Sequence, residues 1–266
     1  ILGVTNAGVR ILRTTYLFSH VPNNLIGRAN SVFGSINVVM RMILIAIFSI
    51  PFVLGIWFKK FEKTAYWLHH VLARFFFAAI FIPVKIKLEK GVNLKNQYVI
   101  ISNHFSFIDI PALAALNIQF KFIGKIAVNN IPLLGYIFKN LHIMVDREDK
   151  DSKKQTYLKS FKSIDEGYSM GIFPEGGIKT KKIPQLAPFK DGAFIMAIEK
   201  QIPILPVSLL DAYQIMKGSF FITWSPCEIV CHTPISSKGY IKRDLEKFKN
   251  KCYNVLQNEL NKSHNE

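Results

Sequence analysis

The stretch Ser102–Asp109, SNHFSFID, leaves the apolar run Tyr98–Ile101 and places a histidine five residues before an aspartate. An unperturbed imidazole titrates at about 6.5, so His104 suits removal of a proton from a hydroxyl as its oxygen attacks. A carboxylate at Asp109 suits fixing the ring tautomer and stabilising the imidazolium. Five residues do not share one face of a straight helix. The pair therefore needs a loop that runs into a first helical turn and folds the carboxylate back onto the ring. The alternative is a loop histidine and a capping aspartate that never meet. Ser106 lies between them as a possible covalent nucleophile, but without the G-x-S-x-G elbow that exposes such a serine.

Two further polar clusters follow apolar runs: Asp146-Arg147-Glu148-Asp149 after HIMV, and Pro174-Glu175-Gly176-Gly177 after GIF. Proline beside glycine marks a turn, and a lysine run such as Lys179, Lys181 and Lys182 is ordinarily a solvated face.

The surrounding pattern says how these clusters are positioned. VKIKLEK (84–90) alternates as a half-exposed strand does, and YVIIS (98–102) is the continuous apolar run of a buried one. Further strands are expected at 120–124, 142–146, 171–173, 202–209, 219–224 and 227–232, and helices at 110–117, 132–141, 152–166 and 190–200. Within 152–166, Tyr157, Leu158, Phe161 and Ile164 are expected to form the apolar face, with lysines opposite. Leu245 to Leu260 spaces apolar residues mostly by threes and fours, as an amphipathic terminal helix. The fold class is α/β: a mixed, mainly parallel sheet covered by helices on both faces. Ligands gather at the carboxyl ends of strands in such sheets, which would bring the three polar clusters to one rim.

With these motifs in place, the chain resembles the glycerolipid acyltransferases of the 1-acylglycerol-3-phosphate acyltransferase type over residues 80 to 260. NHFSFID matches the family's N-H-x4-D motif, and GKIAVNNIPLLGYIFKNLHIMVDRED (124–149) is similar to its second block. GIFPEGG (171–177) matches the F-P-E-G block, and IPILPVSL (202–209) the fourth. The resemblance implies His104 and Asp109 as the catalytic pair, and direct acyl transfer from acyl-CoA or acyl-carrier protein to a lysophospholipid hydroxyl. It implies no metal and no cofactor. Implied substrate-binding positions are Asn103, Lys125, Arg147, Glu175, Gly176, Gly177 and Lys179. Glu175 would either contact acceptor hydroxyls or organise its loop. The sequence departs from the pattern at Ile178, where the family carries a phosphate-binding arginine. That substitution leaves the acceptor headgroup open, between lysophosphatidic acid and another lyso-lipid such as a lyso-ornithine lipid. Lysines nearby could supply charge, as points rather than as a bidentate fork.

The 266 residues carry a net charge of +16, and half of them are hydrophobic, with a mean hydropathy of +0.21. The first hundred residues hold twelve Lys/Arg against two Asp/Glu. Basic residues beside apolar runs suit an anionic lipid surface. No zinc-finger spacing, RNP motif or helix-turn-helix pattern supports nucleic acid as a partner. Met42–Phe58 is an uncharged run of 17, interrupted by Pro51 and Gly55. It suits a kinked transmembrane helix or a re-entrant segment. Residues 64–84 carry Arg74 near their middle and are expected in the membrane interface.

Residues 21–45 resemble the closing region of a major-facilitator-type transporter, with an ordinary amphipathic anchor as the alternative. The expected organisation is a membrane-associated helical region over 1–83 and an acyltransferase domain over 84–266, seated at the cytosolic face. Cys227, Cys231 and Cys252 form no C-x-x-C pair and read as reduced core cysteines. A non-catalytic basic membrane adaptor is the reading from a different class.

Overall fold

The computed structural model of the chain describes residues 61–125, 134–180, 182–216 and 222–265, with scattered positions between Pro22 and Phe58. The expected transporter-like segment 21–45 and the run Met42–Phe58 thus lie largely outside the described residues. Among the described residues, no helix is long and apolar enough to cross a membrane.

The elements follow in the order α1 (Glu62–Ala79), β1 (Val84–Leu88), β2 (Val99–Ser102), α2 (Asp109–Ala114), β3 (Phe120–Lys125), α3 (Leu134–Leu141) and β4 (Ile143–Val145). They continue with α4 (Lys150–Asp165), β5 (Ser169–Ile172), α5 (Gly192–Lys200), β6 (Ile204–Leu210), α6 (Ala212–Ile215), β7 (Cys227–Cys231) and α7 (Leu245–Asn265). The strands form one sheet in the order β1-β7-β6-β2-β5-β3-β4. β6, β2, β5, β3 and β4 run parallel; β7 is antiparallel to β6, and β1 is parallel to β7. The carboxyl ends of β2 to β6 and the amino ends of β1 and β7 therefore share one rim.

The central strands are covered on both faces, so β2 is buried at all four positions and β6 at all seven. Alternate side chains divide between two cores. Val99 and Ile101 pack with α5 and α7, whereas Ile100 packs with α1 and α2. At the edge, β1 exposes Lys85 and Lys87, and charge on an edge strand discourages pairing with another sheet. Cys227, Cys231 and Cys252 are free and buried in these cores.

Two expectations need correction. First, α4 turns Thr156, Ser160, Ser163 and Ile164 inward, while Leu158 is 54% exposed. The hydroxyls of Thr156, Ser160 and Ser163 bond back to the carbonyls of Ser152, Thr156 and Lys159. Small side chains satisfied within their own helix can lie close against a sheet, which an apolar-periodicity reading misses. Second, no strand forms over 222–224; Thr223 N–H bonds instead to Ile215 O at 2.9 Å, and 219–221 lie outside the described residues. On the N-terminal side of the boundary expected at 83, α1 packs on the sheet. Ala73 and Phe77 of α1 pack with Ile80 and Ile82 against the sheet, and Lys121 Nζ meets Glu62 Oε1 at 3.2 Å. This ion pair holds the start of α1 beside the start of β3, so the helix runs up towards the rim.

Candidate active site

β2 ends at Ser102, and the chain turns through Asn103–Ile108 before α2 begins at Asp109. That turn folds the aspartate back. His104 Nδ1 lies 3.0 Å from Asp109 Oδ2, and the same oxygen accepts the N–H groups of Phe105 at 2.6 Å and Ser106 at 2.8 Å. An ionised carboxylate here makes Nδ1 the protonated nitrogen and leaves the Nε2 lone pair as the base. His104 is 9% exposed and Asp109 1%. Burial pushes the Asp109 carboxyl up, opposed by the His104 ring and the two backbone donors. The ring also stacks on Phe173, centroids 4.1 Å apart and planes at 15°.

Glu175 fixes the other side of the pair. Its Oε1 accepts His104 N–H and its Oε2 accepts Ala187 N–H, each at 2.8 Å. At 1% exposure both oxygens are committed to backbone, which ties the loop after β5 to the loop after β2. Burial raises this carboxyl too, against those two hydrogen bonds. Of the two roles open from sequence, the geometry matches organising the loop. Asn103 is likewise fully buried. Its amide receives Leu209 N–H at 2.8 Å and donates to Leu209 O at 3.1 Å, tying β2 to β6 with no surface left for a ligand. Ser106 Oγ donates to Met216 O at 3.3 Å and accepts Ile108 N–H at 3.4 Å. It engages the loop rather than the His104 ring, contrary to a nucleophile's need.

Beside this pair, the Phe173–Gly176 turn closes with Gly176 N–H on Phe173 O at 3.0 Å. Gly176 and Gly177 adopt φ of 78° and 141°, a region side chains disfavour. A Cβ on Gly176 would fall 2.8 Å from Lys190 Cε, and one on Gly177 would fall 3.9 Å from Arg147 Nη1. The bare Gly176 thus admits Lys190 to the loop, and Arg147 lies beside Gly177.

Arg147, Lys153 and Lys190 line a cavity of about 120 Å³ together with Ile123, Val145 and Met196. Burial lowers the Lys190 ammonium pKa, and the charges of Lys179, Arg147 and Lys153 lower it further. Among the described residues no carboxylate pairs with these cations. An anion is what such a cluster lacks.

Sequence reasoning named Arg147 and Lys179, and the structure brings both to this cluster. It left Lys190 without a defined part and passed over Lys153 and Phe173. Lys190 sits at the start of α5 in the sequence PFKDG, and only the topology sets that start beside PEGG. Its neighbour Asp191 faces away and pairs with Lys249 at 2.7 Å. The Lys125 side chain and Lys181 lie outside the described residues. Ile178 is 42% exposed and adds no charge.

The acyltransferase family model matches residues 83–210. Over 201 residues the chain is 28% identical to a chloroplastic 1-acyl-sn-glycerol-3-phosphate acyltransferase of Brassica napus, covering 73% of this chain and 56% of that protein. Over 137 residues it is 31% identical to a 1-acyl-sn-glycerol-3-phosphate acyltransferase of Helicobacter pylori, covering 48% of this chain and 57% of that one. The chain spans a little over half the length of the plant relatives it matches. The crystal structure of the 1-acyl-sn-glycerophosphate acyltransferase of Thermotoga maritima superposes with a TM-score of 0.66 at 18% identity, over 84% of this chain and 97% of that one. That likeness shows the shared fold. Motif order and family match agree: residues 83–210 match the acyltransferase family, and the chain is similar to 1-acyl-sn-glycerol-3-phosphate acyltransferases.

Proposed function

We propose that the protein transfers an acyl chain from a thioester, acyl-CoA or acyl-carrier protein, to the free hydroxyl of lysophosphatidic acid, giving phosphatidic acid. His104 Nε2 removes the hydroxyl proton as the oxygen attacks the thioester carbon. The carbon–sulfur bond breaks, and the proton passes from His104 to the departing thiolate. Asp109 holds the ring tautomer and stabilises the transient imidazolium. Arg147, Lys153, Lys179 and Lys190 receive the phosphate beside the Gly176–Gly177 loop.

The observation that carries this reading is the juxtaposition of a 3.0 Å His104–Asp109 pair with cations that have no carboxylate partner among the described residues. The cluster also answers the loss of the family arginine at Ile178: charge enters from α4 and α5 instead. The lipid acceptor reaches the site from a membrane against which α1 lies in the interface, with Trp67 and Arg74 outward.

Acyl transfer by the purified protein tests the reading, comparing lysophosphatidic acid with a phosphate-free monoacylglycerol and a lyso-ornithine lipid. Preference for the phosphate-bearing acceptor is expected. Equal or better transfer to the lyso-ornithine lipid would overturn the headgroup assignment, and no transfer to any acceptor would overturn the activity.

A further inference from the structure

The rim that carries His104 also carries large apolar side chains turned to solvent. Phe107, inside the His104–Asp109 loop, is 69% exposed; Phe81 is 63%, Trp224 61% and Ile222 36% exposed. These residues are far apart in sequence. Phe81 precedes β1, while Ile222 and Trp224 precede β7. Because β1 and β7 run against the parallel strands, their starts reach the same rim as the end of β2. Hydrogen bonds join the pieces. Trp224 Nε1 donates to Phe81 O at 3.0 Å, Thr223 N–H to Ile215 O at 2.9 Å, and Ser106 Oγ to Met216 O at 3.3 Å.

Phe81 supplies a second, independent observation. Ile82 N–H closes back on Phe77 O at 2.9 Å, which puts Phe81 just past the end of α1 with φ of 55°. Glycine is the usual residue at this left-handed position, because a Cβ there is strained. Here the chain carries a bulky aromatic instead, and its ring gains little packing within the protein. A strained backbone position that carries an exposed aromatic ring points to a role outside the packing of the fold.

The chemistry of that partner follows from the residue types and the charge. Phenylalanine, isoleucine and tryptophan suit the boundary between headgroups and acyl chains, where the tryptophan ring meets both phases. Arg74 and Lys85 are exposed on the elements flanking Phe81. Arg147, Lys179 and Lys190 follow along the rim, against Asp211 just after β6 and Glu228 at the start of β7. A second copy of this chain would bring another net charge of +16 to the contact, whereas an anionic bilayer complements it.

We propose that Phe81, Phe107, Ile222 and Trp224 form a lipid-contacting patch that enters the headgroup region of an anionic bilayer and sets the His104 rim against it. This extends the membrane contact from α1 to the catalytic rim, so the acceptor passes from the leaflet to His104 without crossing water.

The test uses the full chain carrying Trp57→Phe and Trp67→Phe, which leaves Trp224 as the single tryptophan. On phosphatidylglycerol vesicles its emission should shift to the blue and be lost when the acyl chains carry bromine. Phosphatidylcholine vesicles should give a weaker response. Unchanged emission from protein that still floats with the vesicles would overturn the patch while leaving contact through α1 standing. A blue shift on concentrating the protein without vesicles would assign the surface to a second copy, and would also overturn it.

Phe81→Gly separates membrane contact from packing. Glycine fits the left-handed backbone, so the variant should melt no lower than the wild type, yet bind phosphatidylglycerol vesicles several-fold more weakly. A lowered melting temperature with unchanged vesicle binding would mark Phe81 as structural and contradict the proposal. Fluorescence and flotation do not depend on turnover, so failure of acyl transfer would bear on the proposed function alone.

Discussion

Asp109 Oδ2 gathers three donors at once: the His104 ring at 3.0 Å and the backbone N–H groups of Phe105 and Ser106. One oxygen therefore both shapes the loop and orients the base. Asp109→Asn keeps the volume but removes the charge that stabilises an imidazolium. In assays at saturating acceptor, kcat should fall roughly 10²–10⁴-fold, with acceptor KM changed far less. A kcat within a few-fold of wild type would mean the carboxylate only shapes the loop.

Glu175 is a support for that geometry. Both of its oxygens accept backbone N–H groups in a buried site. Glu175→Gln can satisfy one of them and turns an NH2 group towards the other donor. An unmet buried hydrogen bond costs about 1–3 kcal/mol, which lowers Tm by roughly 2–10 °C for a chain of this size. Calorimetry at neutral pH checks this. Activity should fall as well, since His104 N–H loses its anchor. An unchanged Tm would show that the loop is held by other means.

The cation cluster carries the acceptor's phosphate in the proposed reaction. A charge-assisted hydrogen bond contributes about 1.5–3 kcal/mol. Lys190→Ala should therefore raise KM for lysophosphatidic acid roughly 10–100-fold, and leave a phosphate-free acceptor unaffected. Gly176→Ala should move in the same direction, because its new methyl would meet Lys190 Cε at 2.8 Å on a backbone with φ of 78°. Steady-state kinetics on both acceptors decides; equal losses on the two would argue against a phosphate role.

Acid should loosen the seat of α1. The rings of His69 and His142 lie 4.9 Å apart between α1 and the sheet, and His142 Nδ1 accepts Phe122 N–H at 3.2 Å. Burial holds His69 down to about 4 and His142 well below its ordinary value. An unfolded chain, whose imidazoles titrate near 6.5, binds protons in this window that the folded chain refuses. Stability is thus complete above about pH 6.5 and declines as pH falls towards 4. The raised Asp109 and Glu175 carboxyls offset part of this, since the folded state takes up their protons first.

His69→Phe isolates the imidazole contribution. Between about pH 7.5 and about pH 5, denaturant titration should show the wild type losing roughly 2 kcal/mol more than the variant. Equal losses in the two proteins would remove His69 from the account.

Much of this was legible from residue order. YVII and IPILPVSL read as buried strands because burial on both faces leaves no polar alternation, and they became β2 and β6. The His104–Asp109 spacing was legible as chemistry only with a loop that folds back. The reverse direction of β1 and β7 was not legible, because a short apolar run carries no direction. Consequently the gathering of Phe81, Phe107 and Trp224 on one rim could not be foreseen. Nor could Lys153 and Lys190, whose approach depends on how α4 and α5 lie beside the PEGG turn. Asn103 was expected at the substrate, and Glu175 either at the acceptor hydroxyls or organising its loop; both bond backbone in the interior, and motif membership alone does not distinguish the two roles.

The general-base claim is tested most directly by single-turnover acyl transfer with purified His104→Ala, alongside its melting curve and vesicle binding. The predicted result is a loss of at least about 10²-fold in the acyl-transfer rate, with Tm and vesicle binding close to wild type. Near-normal transfer by this variant would contradict the account, because no other residue on the rim could then be said to wait upon His104 for the proton.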